Sequence, residues 1–382
     1  MDTRKKLYGG LQDVIAGCFS AVLALILWLL LFVQPHTSYY CKVGFLLSNK
    51  TLVCIGILAI GLVGWFISKQ RKQPNTRWEQ HPYVPILILS AALFLVQVVV
   101  FYNMYFCTGW DVRRIVDAAI ELQRDHQVAA SQSGYFSMYP NNVFLVWVLS
   151  KIFGLVGARL DLPQLLYVAI VVLSAGATLT GMLLFSIVKK VLAIRFAYGA
   201  WLIFVVHVGL SPWITIPYSD AFGLCLPMLM LWLYLNFDEG KIVYFKWAAI
   251  GFLAYMGLKI KPQVVIVFIA IAGIEVVHLL ANFDKCTFVA FCKRWFVAGL
   301  AILLAMLLYV GRIVPSLGLE LNPNIKFGLS HFLMMGLNDH SDGGYWDPDV
   351  SYSVSFPTPA ERQEGNWKMI GERLQAYGPQ RA

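Results

Sequence analysis

The sequence predicts an all-α fold: a polytopic transmembrane bundle of about ten hydrophobic segments, with an outer loop carrying an amphipathic helix and a polar outer tail. Three observations predict it. Only 13% of the 382 residues are charged and 59% are hydrophobic, where a soluble domain carries about 25% charge. Half the usual charge means that most of the surface faces something other than water. The apolar residues come in runs close to the 20 or so needed to cross a bilayer. Separate segments of this kind span as helices, because each must satisfy its own backbone groups in lipid. Mean hydropathy is +0.66. The charge that remains is basic, 30 Lys and Arg against 21 Asp and Glu for a formal net of +9. In a membrane protein that excess marks cytoplasmic loops and not nucleic-acid binding.

In chain order, the first run, 14–33, follows Arg4, Lys5 and Lys6. It is too long for a signal-peptide core and lacks a small-residue cleavage site, so it reads as a signal anchor. The further runs are 52–68, 84–102, 142–156, 165–188, 196–213, 218–236, 247–258, 263–281 and 295–312. Of these, 142–156 and 247–258 are short. The positive-inside rule orients them. The N-terminus and the loop with Lys69, Arg71, Lys72 and Arg77 go inside, which leaves 103–140 outside. Segments 238–241 and 284–294 go inside; Tyr218–Asp220, Lys259–Pro262 and the tail 313–382 fall outside. Lys189, Lys190 and Arg195 also belong inside. Segment 142–164 must then enter and leave on the outer side, and its short run suits a re-entrant or tilted element. Three regions result: an N-terminal hairpin and basic loop (1–83), a transmembrane core (84–312) and an extracytoplasmic tail (313–382).

The outer segment has internal order. Val112, Ile115, Val116, Ala119 and Leu122 repeat with helical spacing, and Asp111 stands at the N-cap position. Such a helix suits the headgroup plane. Seven cysteines show no CxxC pair; Cys41 and Cys107 could both fall outside and pair, although buried or free thiols are the preferred reading. There is no internal repeat.

Three polar clusters fall on the outer side. TGWDVRR (108–114) places Asp111 just after a span, beside Arg113. A carboxylate in an enclosed membrane cavity can serve as a base; alternatively it caps its helix. PYSDAFGL (217–224) places Tyr218 and Asp220 at the start of a span, where an acid also compensates the helix dipole. GLKIKPQ (257–263) places Lys259 and Lys261 between two apolar runs, against the positive-inside bias. Two such lysines suit a phosphate, or they snorkel to headgroups. YFSMYPNN (135–142) adds Asn141 and Asn142 at a helix entry. No HExxH, Walker loop or GxSxG occurs.

Together these motifs resemble the GT-C superfamily of integral membrane glycosyltransferases, which use polyprenyl-phosphate sugars and include the protein mannosyltransferases. The order TGWD, YPNN, YSD and KP, followed by GGYWDPDVSYS at 343–353, is most similar to a bacterial subgroup of uncharacterised integral membrane proteins, over roughly residues 100–380. The resemblance implies an inverting hexosyltransferase in the plasma membrane with its active site on the extracytoplasmic side. Asp111 would be the catalytic base. Lys259, Lys261 and Arg113 would bind the donor phosphate, and Asp220, Tyr218, Asn141 and Asn142 would orient substrate. It implies a polyprenyl-phosphate-linked sugar as donor and an envelope glycan, polymer, lipid or protein as acceptor. It allows a divalent Mg or Mn ion near the acids, while no motif fixes a metal site. The pattern departs from the superfamily in two places: two spans precede the one leading to Asp111, and the polar tail reaches Ala382 where relatives continue into further spans, so a longer native chain stays open. A transporter or flippase for a lipid-linked saccharide is the alternative; it would show related halves and midplane polar residues. A scaffold subunit would need no convergence of the three clusters.

Overall fold

The structure is a computed structural model that describes residues 2–32, 48–69, 81–105, 108–157, 160–237 and 240–377. Regular structure among them is helical throughout. In chain order the α-helices are α1 (Asp2–Phe32), α2 (Asn49–Lys69), α3 (Tyr83–Tyr102), α4 (Trp110–Asp125), α5 (Ser133–Met138), α6 (Val143–Gly154), α7 (Leu162–Val191), α8 (Ile194–Phe204), α9 (Ser219–Gly223), α10 (Cys225–Leu235), α11 (Ile242–Ile260), α12 (Val265–Ala281), α13 (Lys285–Leu308), α14 (Leu329–Gly336), α15 (Asp347–Val354) and α16 (Pro359–Tyr377). Cys41 and Cys107, whose pairing is the alternative to unpaired thiols, and the basic residues Arg71, Lys72 and Arg77 lie outside the described residues. Cys18, Cys54, Cys225, Cys286 and Cys292 are free thiols.

Among the described residues, six stretches are long and apolar enough to cross a membrane: Gly9–Leu29, Tyr83–Tyr102, Leu162–Val191, Ile242–Ile260, Pro262–Ala281 and Lys285–Leu317. The all-helical, multi-span expectation holds, while of the expected ten or so hydrophobic segments six meet this length and composition among the described residues. Run 196–213 leaves the α-helix at a π turn over Val205–Gly209 and then forms a 3-10 turn over Pro212–Thr215. Run 218–236 breaks at Leu224, between α9 and α10. The apolar stretches Ile194–Gly209 and Ser219–Leu235 run through these irregularities and are shorter than the six. Run 142–156 forms a helix of 12 residues, about 18 Å at 1.5 Å per residue, against a hydrocarbon core about 30 Å thick.

The chain divides into two compact units: Met1–Ile15, Gly61–Ala129 and Asn141–Leu319 form one; Ala16–Ile60, Ala130–Pro140 and Glu320–Ala382 form the other. In the first, α7 is the central helix, packed by α3, α8 and α10. Its start is fixed by a capping box: Gln164 N–H donates to Asp161 Oδ1 (3.0 Å) and Asp161 N–H to Gln164 Oε1 (3.1 Å). Ile86, Leu93, Phe185 and Trp201 form one buried cluster and Phe101, Ile170, Leu173 and Ile214 another. The opposite face of α3 exposes Val84, Leu87, Ile88, Leu95 and Val99, as a lipid-facing surface would. Buried Gln97 donates to the Gly209 carbonyl (2.6 Å) and accepts from Thr178 (2.9 Å), tying the π turn to α3 and α7. Without water to exclude, helices in lipid associate through close packing at small residues. Gly251 of α11 shows this: a Cβ there would sit 2.3 Å from the Ala298 carbonyl oxygen of α13.

Helix α4 keeps the apolar stripe its spacing predicts, with Val112, Ile115, Val116, Ala119 and Leu122 all buried. The stripe packs on α6, so it faces protein and not headgroups. Inside the α10–α13 bundle, Glu275 is buried, paired with Arg294 (3.0 Å) and accepting from the Tyr234 hydroxyl (3.0 Å). Trp247 and Trp295 pack together there. Lys246, also buried, donates to the Tyr234 carbonyl (3.2 Å).

In the second unit, residues 130–140 join the tail. Asn322 N–H donates to Ser137 Oγ (2.8 Å) and Phe327 N–H to the Met138 carbonyl (3.1 Å). The motif GGYWDPDVSYS serves the packing of α14, α15 and α16. Gly343 has φ +75°, and a Cβ there would meet the Gly336 carbonyl at 2.8 Å, so glycine is required on both counts. Asp349 is buried and takes a two-pronged bond from Arg373 (3.0 and 2.6 Å) and another from Asn338 (2.9 Å).

Candidate functional site

The residues singled out in the sequence come together at one end of the first unit, where α4, α6 and α9 begin and α11 ends. Asp111 does not cap its helix, as its position suggested. Gly109 is the N-cap and Asp111 lies one residue inside the helix. Its Oδ2 instead accepts from the Tyr218 hydroxyl across 107 positions of sequence (3.0 Å). Trp110, immediately before it, has φ +41°, a left-handed conformation costing about 1–2 kcal/mol for a side-chain-bearing residue. Local strain of this order is held where surrounding structure fixes it.

Tyr218 is the hub. Its oxygen also accepts a hydrogen bond from the buried Asn142 amide, and the Asn142 side-chain carbonyl accepts in turn from Asn141 (3.1 Å). Burial, then the Asp111 charge and the hydrogen bond to Asp111, then the Asp220 charge, hold the Tyr218 hydroxyl well above the ordinary tyrosine range; Asn142 opposes them. Tyr218 is thus a fixed neutral donor. It orients the Asp111 carboxylate and is unsuited to be the base itself.

Asp220, two residues on, is ion-paired with Lys261 Nζ. Lys259 lies over two tyrosine rings, its Nζ 5.2 Å from the centre of Tyr255 and 4.9 Å from that of Tyr309, a cation–π arrangement. Tyr309 also touches Phe144 (5.9 Å), two residues past Asn142. The asparagine entry of α6 and the lysine end of α11 are thereby linked. Arg113, expected at the phosphate, is paired with Asp117 one turn along its own helix (2.8 Å).

Asp220 and Lys261 stand at the polar edge of a cleft of about 360 Å³, within the range of small-molecule sites. Its other walls are apolar, with Leu184, Phe204, Val208, Met228 and Val264 among them. The backbone irregularities meet here. Val208 belongs to the π turn, and Leu224, at the break between α9 and α10, also lines the cleft. Pro227 cannot donate the bond that would close that turn. Irregular backbone at membrane depth persists where it is buried in protein or lines a cavity.

A family of conserved hypothetical integral membrane proteins matches residues 17–380. The chain belongs to that family. No curated protein and no solved structure matches it. This family member is an integral membrane protein with several apolar helices.

For the divalent ion that the resemblance allows, the donor set is poor. No group of three or more His, Cys, Asp or Glu side chains converges among the described residues. Of the two carboxylates nearest Tyr218, Asp111 accepts the tyrosine hydroxyl and Asp220 pairs with Lys261. These residues do not fit a resident metal, and no step below passes through one.

The sequence missed three features of the site. Tyr255 precedes Lys259 by one helical turn, a spacing that could have flagged it. Tyr309 is 50 residues away with no local signal, and the cleft walls are Leu, Val, Phe and Met of the kind found throughout the bundle.

Proposed function

We propose that this protein is an inverting glycosyltransferase that moves a hexose from a polyprenyl-phosphate donor to an acceptor of the cell envelope, at the outer face of the plasma membrane. One observation carries the reading. A carboxylate oriented by a neutral tyrosine, Asp111 on Tyr218 (3.0 Å), shares that tyrosine's electrostatic environment with Asp220, whose partner Lys261 stands at the edge of an apolar cleft. The cleft suits the isoprenoid chain, Lys261 and Lys259 suit the phosphate, and Asp111 suits the acceptor.

In this reading the acceptor hydroxyl oxygen attacks the anomeric carbon and its proton passes to Asp111. The bond from that carbon to the phosphate oxygen breaks, and its electron pair leaves with polyprenyl phosphate. Attack opposite the leaving group inverts the configuration. Negative charge grows on the phosphate as the bond breaks, and in this reading the two lysines stabilise it. Asn141 holds Asn142, Asn142 holds Tyr218, and Tyr218 holds Asp111. Against the flippase reading, the three polar clusters of the site lie at helix ends.

The test is transfer by the purified protein in liposomes, supplied with radiolabelled undecaprenyl-phosphate hexoses and an envelope extract. Asp111→Asn should lower transfer by about 10²–10⁴-fold while the melting profile stays at wild type. Label that crosses the bilayer without transfer, equally in both proteins, would replace the transferase with the flippase.

A further inference from the structure

The ion pair at the cleft has two unequal partners. The Lys261 side chain keeps 29% of its surface exposed and Asp220 keeps 67%. Lys261 ends α11 and reaches back to the first turn of α9. The formal charges of the four residues, Asp111, Asp220, Lys259 and Lys261, sum to zero. An arriving lipid phosphate adds negative charge, and the lysine at the cleft edge already has a carboxylate on it.

We propose that Asp220 is a built-in occupant of the anion subsite. In the empty cleft it holds the Lys261 ammonium in position; an incoming phosphate monoester or diester displaces it, so Asp220 sets the affinity for anionic lipid. The proposal rests on the reading that Lys261 receives the donor phosphate. Three physical points support it. A carboxylate and a phosphate use the same ammonium donors, so one substitutes for the other. A pair this exposed is weak enough to exchange. The displaced carboxylate is already mostly in contact with solvent, so releasing it leaves no buried charge without a partner. The pair also keeps Lys261 engaged when no ligand is present, which fixes its position at the cleft edge.

The experiment uses the full chain in phosphatidylcholine nanodiscs, with farnesyl phosphate as the probe and farnesol as its uncharged counterpart. Dissociation constants are compared for wild type, Asp220→Asn, Asp220→Glu and Lys261→Gln, each checked for an unchanged melting profile. Asp220→Ser serves as a second neutral variant should asparagine disturb the turn. Removing the competing carboxylate should tighten farnesyl phosphate roughly two- to fivefold, the range expected for an exposed pair, and leave farnesol unchanged. Asp220→Glu should behave as wild type. Lys261→Gln should weaken the phosphate probe, and adding Asp220→Asn to it should restore nothing. If the neutral Asp220 variants bind farnesyl phosphate no better than wild type while Lys261→Gln binds it worse, the phosphate stays on Lys261 and Asp220 is not its stand-in. If Lys261→Gln binds as tightly as wild type, the phosphate reading itself falls and this proposal with it.

Discussion

Two carboxylates, Asp220 and Asp349, stand in motifs of the sequence, and the structure separates them through their partners, Lys261 and Arg373. Asp220 is two-thirds exposed at a cleft edge, and its described ion-pair partner is one flexible lysine. Asp349 keeps 6% exposure and is surrounded by donors: both prongs of Arg373 and the Asn338 amide. Arg373 also donates to the Met334 carbonyl. The first pair can exchange its partner for a ligand. The second has its bonding capacity used by the fold, and it locks α14, α15 and α16 together. A carboxylate in a motif is therefore read by how many donors it has already accepted.

The comparison breaks most sharply at Asp349. Removing one partner of a buried pair leaves the other charge uncompensated and costs about 3–5 kcal/mol. Asp349→Ala should open the tail, read as faster proteolysis and hydrogen exchange over 329–377. The double variant Asp349→Leu with Arg373→Met should recover much of the loss. Tail protection unchanged in Asp349→Ala would mean the pair carries no structure.

A smaller effect is expected nearby, from His331. Its ring is fully buried against Phe327 (centroids 3.9 Å, nearly parallel), and its Nδ1 lies 2.8 Å from Ser353 Oγ. Ser353 has one hydroxyl proton and gives it to Asn366 (2.9 Å), so His331 Nδ1 carries the hydrogen and Nε2 is bare. Nε2 is buried without a partner. Burial pushes the His331 pKa down to about 4; Asp349 opposes this and Arg362 adds to it. Between about pH 6.5 and 4 the unfolded chain takes up a proton that the folded chain refuses. Stability is thus full above 6.5, falls with pH through that window and is flat below it, for a total of up to about 3 kcal/mol. The midpoint of tail unfolding against pH reads it. His331→Phe should flatten the slope, and an unchanged slope would remove His331 as its source.

How much of this was legible beforehand follows the same division. The apolar runs located the helices because a bilayer demands long unbroken hydrophobicity. Among the described residues six stretches reach the length and apolarity of a span, and two more, Ile194–Gly209 and Ser219–Leu235, are shorter; the π turn at Val205–Gly209 and the irregularity at Leu224 lie within these two and leave composition untouched. Asp111, Tyr218, Asn142, Asp220 and Lys261 stood out as polar residues at the ends of apolar runs, where lipid makes polarity costly. Glu275 was overlooked although it lies inside run 263–281, the place where that rule speaks most strongly; Arg294, its partner, sits in the basic segment that follows. The capping role of Asp111 was misread because its spacing fits a cap and its actual partner is 107 residues away. The roles of Asp349 and Ser353 could not be read from GGYWDPDVSYS, since Arg373 and His331 lie outside that motif.

The smallest expected effect concerns Arg113, the one cation of the expected phosphate set that the structure shows in an ion pair along its own helix. That pair is 46% and 37% exposed at i,i+4 spacing, so it contributes about 0.3–0.5 kcal/mol. If Arg113 serves only its helix, Arg113→Gln and Asp117→Asn should be equivalent: each leaves the melting profile close to wild type and changes transfer by less than about twofold, since 0.4 kcal/mol is about a factor of two. The two variants separate if Arg113 instead swings to the phosphate during the reaction. Then Asp117→Asn, which frees the guanidinium, should maintain or raise transfer, while Arg113→Gln lowers it about tenfold or more with a steeper loss in kcat than in KM, as expected for a group that meets charge developing only in the transition state. That asymmetry would move Arg113 into the class of Asp220 and Lys261, pairs that exchange, and would mean that the exposed partners at this end of the bundle are held in reserve for the ligand.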